Sequence, residues 1–231
     1  MTGGSSTGAP RRRNHSSGAS GAGPRRSRAW AFALTALCQF GSMYVFLPFL
    51  GLHARAIGAS AVGVGAVVAS QSVLPTLLAI PGGELADRMG YHRAMAGGFA
   101  LTLASRVGLL WAPSIWQLAL WQMASGLGDL VATIAQQALV ASVEDVERRK
   151  REFGWYTFAS SGGMLLGPLV GGVAVRAYGY PASFALSAAL AAAALGLSLW
   201  LAALDRASAP GGAGDSAPEA AYLGSPGVES R

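Results

Sequence analysis

Six long apolar stretches, at about 29–50, 60–82, 94–112, 115–140, 154–176 and 182–204, alternate with short polar connectors along the chain. Each is close to the roughly 20 residues that a helix needs to cross the hydrocarbon of a bilayer. The pattern predicts an all-α, polytopic membrane protein of six transmembrane helices. Its connectors leave no room for a soluble domain between spans. The connector at Pro113-Ser114 is so brief that spans 3 and 4 must form an antiparallel hairpin, with Trp111 and Trp116 as interfacial anchors.

Composition agrees. Of 231 residues 52% are hydrophobic and 12% charged, whereas soluble domains carry roughly a quarter charged residues. The net charge of +6 would suit a nucleic-acid partner if the basic residues formed a patch, but they flank apolar spans instead. Fourteen of the 17 Lys and Arg fall in the segment before span 1, the connectors after spans 2 and 4, and the segment after span 6. Only Arg55 and Arg176 fall on the other side, and Arg106 lies within span 3. The positive-inside bias therefore puts both termini in the cytoplasm of a cell-membrane protein, as an even number of spans requires.

Residues 1–28, rich in Gly and Ser with basic clusters at Arg11–Arg13 and Arg25–Arg28, are expected to form a disordered cytoplasmic tail. The first span is about twice the length of a signal-peptide core, so this segment reads as retained. Residues 205–231 are expected to form a second disordered tail. Between spans 4 and 5, Val143 to Phe153 predict a short surface helix, with Glu144/Arg148 and Glu147/Arg151 at i, i+4. The single cysteine, Cys38, excludes an intrachain disulfide, and no metal cluster, phosphate loop or nucleophile–base pair is present. No cofactor and no enzymatic chemistry are expected.

Between spans 2 and 3 lies Pro81-Gly82-Gly83-Glu84-Leu85-Ala86-Asp87-Arg88-Met89-Gly90-Tyr91-His92-Arg93. It reads as a tight membrane-surface turn in which Gly83 and Gly90 let the backbone reverse. It resembles the loop between helices 2 and 3 of major facilitator superfamily transporters, written G-x-L-a-D-r-x-G-r-k. Gly83, Leu85, Ala86, Asp87, Arg88 and Gly90 match. Tyr91 and His92 stand where the family has two basic residues, with Arg93 one place later.

A second run, Gly163-Met164-Leu165-Leu166-Gly167-Pro168-Leu169-Val170-Gly171-Gly172, sits in span 5. Small residues four apart permit close helix packing, and Pro168 removes a backbone donor. The run resembles the superfamily's helix 5 signature g-x-x-x-G-P-x-x-G-G, associated with proton-coupled antiporters and drug exporters. At an offset of 89 residues, Gly82-Gly83 lies over Gly171-Gly172 and Gly90-Tyr91 over Gly179-Tyr180, as two three-helix repeats would require. The resemblance covers about 29–204, the N-terminal half of a typical transporter. It implies a small-molecule substrate, a proton as coupling ion, and a second six-helix half or a second copy of the chain. A non-transporting interaction protein or inactive remnant is the alternative.

In span 4, Gln122, Gly126, Asp129, Thr133 and Gln136 fall on one helical stripe about 21 Å long. Charge at that depth costs at least roughly 2.5–3.5 kcal/mol, so Asp129 should face a watery cavity or a partner. In the resembled family helix 4 lines the central cavity, and its usual arginine is Gln122 here. Arg106, the other buried charge, lies at a depth similar to that of Asp129, about 18 against 16 Å from the cytoplasmic ends. It either pairs with Asp129 or snorkels to the outer surface. Gln39, Tyr44, Ser70, Gln71 and Ser72 are weaker candidates for cavity lining. If the chain stood alone, Asp129, Gln122 and Gln136 would be exposed to lipid.

Overall fold

The computed structural model describes residues 22–208. They form six α-helices and, among the described residues, no strand: α1 (Ala22–Ala56), α2 (Ala61–Met89), α3 (Tyr91–Leu110), α4 (Ile115–Ala141), α5 (Val146–Tyr178) and α6 (Tyr180–Ser208). Helix is the form in which an apolar segment satisfies its own backbone N–H and C=O groups without water. Five of the six are long and apolar enough to cross a membrane; α3 is not. That helix carries Thr102, Ser105 and Arg106, and all three are buried inside the bundle. Its polarity is turned away from lipid.

The helix ends correct several expectations. α1 begins at Ala22, seven residues ahead of the predicted start, and α6 runs on to Ser208. The rest of both expected tails, 1–21 and 209–231, lies outside the described residues. The run from Pro81 to Arg88 is not a turn: α2 continues through Pro81 and Gly83 to Met89, and the reversal takes one residue, Gly90, at φ +81°. Gly83 is helical and makes no close approach. Gly179, also at φ +81°, joins α5 to α6 in the same way, and each of the two glycines is followed by a tyrosine that starts the next helix. The predicted separate helix at 143–153 is instead the start of α5. Asp145 caps it, accepting hydrogen bonds from the N–H groups of Glu147 (3.0 Å) and Arg148 (3.3 Å). Glu144 therefore falls outside the helix, and the ion pairs formed are Arg148–Glu152 (2.6 Å) and Lys150–Glu147 (2.9 Å).

α1 packs on α5 and α6, α4 packs on α2 and α3, and α3 also reaches α6. One core layer gathers Val45, Phe46, Leu50, Leu109, Leu118 and Phe184; another gathers Met95, Phe99, Ala132, Ala135 and Ala194. Large apolar side chains point outward: Ile80 is 81% exposed, Leu165 69% and Val173 71%. In water such a surface would be an aggregation liability, while in hydrocarbon it is solvated. Trp111 and Trp116, 77% and 85% exposed, flank the α3–α4 connection as expected of interfacial anchors.

Candidate functional site

The α5 glycines form a seam against α1. A Cβ at Gly163 would lie 2.7 Å from the Gly41 nitrogen, one at Gly167 2.9 Å from the Tyr44 Cβ, and one at Gly171 on the Val45 carbonyl oxygen. Gly172 is different, since its added Cβ would sit 3.6 Å from Phe49 in ordinary contact. Pro168, half-buried, lies inside α5 on the same run. Tyr44 packs on this seam, against Gly167.

A second close approach builds the polar centre. Gly98 of α3 and Gly128 of α4 face each other's backbones, each leaving only 2.7 Å to the other's carbonyl oxygen for a would-be Cβ. Two helices brought this near let side chains further along α3 reach α4. Thr102 Oγ1 donates to Asp129 Oδ1 at 3.2 Å, and Arg106 Nη2 lies 3.1 Å from Asp129 Oδ2. The charges therefore pair, and the open choice between pairing and snorkelling falls to pairing. Arg106 is fully buried, Asp129 9% exposed.

The guanidinium is held by two further groups. Its Nη1 donates to Gln122 Oε1 at 3.4 Å, and its carbon sits 4.2 Å from the centre of the Phe46 ring, a cation–π arrangement. A cation therefore lies beside position 122 although that residue is an amide. It is supplied by α3 where the resembled family supplies it from α4. Among the described residues, Arg106 Nε, Gln122 Nε2 and Gln136 Oε1 are buried without a hydrogen-bond partner. Groups of this kind are ordinarily met by buried water.

Gln39 of α1 ties the other end of the stripe. Its Nε2 donates to Thr133 Oγ1 (2.9 Å) and to the Asp129 carbonyl oxygen (3.3 Å), and its Oε1 accepts from Gln136 Nε2. The expectation that Gln122 and Gln136 would be exposed in a lone chain is thus wrong. Both are fully buried, because Arg106 and Gln39 cover them from α3 and α1.

What remains open is the middle of the stripe. A groove of about 410 Å³ between α1, α2 and α4 is lined by Gly126, Asp129 and Thr133 with Gln71, Ser72 and Met43. Asp129 and Arg106 are the charged members of this centre, and of the two only Asp129 reaches the groove. Gly126 lets α2 lie against α4 here, its would-be Cβ falling on the Gln71 carbonyl. Ser70 is not in the groove, since its hydroxyl donates to Val67 O of its own helix at 2.7 Å.

Thr102 and Phe46 escaped the sequence reading. Thr102 stands four residues before Arg106 on the same face of α3, a signal that was available; Phe46 offers none. The Asp87 motif lies apart from this site. Asp87, Arg88, Gly90 and Arg93 are exposed where α2 passes into α3, and none of the three charged residues forms an ion pair among the described residues. Tyr91, in place of a basic residue, sits near Asp87; burial and that carboxylate push its phenol above the usual range.

The family model of the Major Facilitator Superfamily matches residues 32–224. The chain belongs to the major facilitator superfamily. That superfamily is one of membrane transport proteins and not of enzymes. It is 27% identical over 186 residues to the inner membrane transport protein YajR of Escherichia coli, covering 78% of this chain and 39% of that protein. It is 30% identical over 148 residues to the multidrug resistance protein MdtH of Aeromonas hydrophila, covering 64% of this chain and 37% of that protein. With the multidrug resistance protein Stp of Mycobacterium tuberculosis identity is 30% over 138 residues, 59% of this chain and 26% of that protein. The chain spans less than two-fifths of the length of these superfamily relatives.

Proposed function

We propose that the chain is the N-terminal half of a proton-coupled superfamily exporter. Its six-span domain, α1 to α6, is built as two inverted three-helix repeats, and both termini are cytoplasmic. Transport proceeds by rocking of this bundle against a second six-helix half around the α1/α2/α4 groove. The observation that carries this reading is the Asp129 carboxylate, held by Arg106 and Thr102 yet reaching an otherwise uncharged groove. A carboxylate so placed can exchange its proton with the groove while its guanidinium partner stays fixed. Matches to two proteins named for multidrug resistance favour drugs as the exported compounds.

Asp129 carries the proton, and Arg106 sets its affinity, with Gln122 orienting Arg106. Thr133 and Gln136 hold α4 to α1 through Gln39. Gly163, Gly167, Gly171 and Gly172 with Pro168 form the surface on which α5 and α1 move as one body. Gly83, Asp87, Arg88, Gly90 and Arg93 grip the second half at the cytoplasmic side.

The test is uptake of the lipophilic cation ethidium into everted vesicles under an imposed proton gradient, compared at matched protein abundance. Asp129→Asn should abolish gradient-driven accumulation while leaving dye binding measurable; unchanged accumulation refutes the assignment. One observation favours a second reading, a non-transporting interaction protein: the polar stripe is largely satisfied within the single chain. Absence of transport with any second half supplied would support it.

A further inference from the structure

On the other side of α1 lies a groove of about 480 Å³ between α1, α5 and α6, walled by Trp30, Leu34, Trp155, Phe158 and Trp200. Leu34 stands nine residues before Met43, which lines the central groove. At 100° per residue that is two and a half turns, so the two grooves open on opposite faces of α1. A second half seated on the central groove leaves this one to the membrane.

Its chemistry is one-sided. Trp30 and Trp155 pack with ring centres 4.9 Å apart, Phe158 meets Trp155 edge-on at 5.9 Å, and all three remain exposed. Among the described residues, no hydrogen bond is made by the indole N–H of Trp30, Trp155 or Trp200. Indoles of this kind sit where hydrocarbon gives way to headgroups. Arg151 lies four residues before Trp155, one helical turn nearer the end of α5. The acids of that turn are engaged, Glu152 by Arg148 and Glu147 by Lys150, while Asp145 caps the helix. Arg151 is exposed and forms no ion pair among the described residues, which leaves positive charge at the mouth of an apolar cleft.

We propose that the α1/α5/α6 groove is a site for an anionic phospholipid, with an acyl chain against Trp30, Trp155 and Trp200 and the phosphate at Arg151. This goes beyond the transport reading and does not depend on it. The test uses the full chain carrying Trp111→Phe and Trp116→Phe, reconstituted in vesicles containing either brominated-acyl phosphatidylglycerol or brominated-acyl phosphatidylcholine. The readout is quenching of the remaining tryptophans. One basic residue near a membrane surface is worth a preference of about fivefold, so phosphatidylglycerol should quench at about one-fifth the mole fraction that phosphatidylcholine requires. Arg151→Gln should remove the preference. Arg206→Gln, at the same end but six residues and 120° from Trp200 on α6, should keep it. Equal quenching by the two lipids in the parent protein would overturn the site, since it marks a charge-blind annulus. An equal effect of the two arginine variants, the sign of general surface charge, would also overturn it. So would quenching by neither lipid, which would mean that protein covers the groove.

Discussion

Gly171→Ala tests the α1–α5 seam against a neighbour that differs in one respect. Both Gly171 and Gly172 lie inside α5, so alanine at either gains the same helix propensity, close to 1 kcal/mol. At Gly171 the new methyl falls on the Val45 carbonyl oxygen, with Phe49 2.9 Å away, whereas at Gly172 its nearest neighbour is Phe49 at 3.6 Å. The gentler clash at Gly163 already requires 2.7 Å to open to about 3.4 Å, a shift of about 0.7 Å, and the one at Gly171 requires more. A radial gap of about 0.5–1 Å forfeits a quarter to a half of each dispersion contact along the seam. Overpacking of this kind costs about 1–3 kcal/mol, and contact with backbone places Gly171 at the upper end. Gly171→Ala should therefore lose about 2–3 kcal/mol relative to Gly172→Ala. The assay is unfolding of purified protein in mixed micelles with increasing denaturing detergent, followed by circular dichroism. Equal midpoints for the two variants would refute the seam.

Gly90→Ala should cost about 1–2 kcal/mol, because φ of +81° crowds a Cβ, while Gly83→Ala, in open helix, should be neutral or stabilising by up to about 1 kcal/mol; the same detergent titration distinguishes them. Removing either member of the Arg106–Asp129 pair should destabilise by about 3 kcal/mol or more, and the double variant Arg106→Gln/Asp129→Asn by much less, since it strands no buried charge. A double variant as unstable as the sum of the singles would deny the coupling. In a Cys38→Ser background, cysteines at Ser5 and Ser216 should resist an impermeant thiol reagent in intact cells, while a cysteine at exposed Ile57 should react. The opposite pattern would invert the proposed topology.

The helices were legible because each apolar run approaches bilayer thickness and stops at charge. Their ends were less so. Pro81 and Gly83 signal a turn in water, but a helix bounded by hydrocarbon keeps its backbone bonds internal, and α2 runs through both. The Glu144/Arg148 pair fails because the Asp145 cap puts the first helical residue past Glu144, while Glu147, inside the helix, pairs with Lys150 at i, i+3 and not with Arg151. In the site, residue types were readable and rotations were not. Asp129 and Arg106 declare themselves as charges in apolar spans, but their meeting depends on Gly98 and Gly128, which look like any other glycines among 32. Gln39 stood out weakly because its partners lie 90 to 97 positions away on α4.

The proposed function turns on Asp129 taking up and releasing a proton within the bundle. Infrared difference spectroscopy of the reconstituted chain during a pH titration reads this without any knowledge of the substrate. A carboxylic-acid C=O band should rise on acidification in the parent protein and be missing in Asp129→Asn, with the exposed carboxylates contributing equally to both. Superimposable difference spectra from the two proteins would rule out Asp129 as the proton carrier.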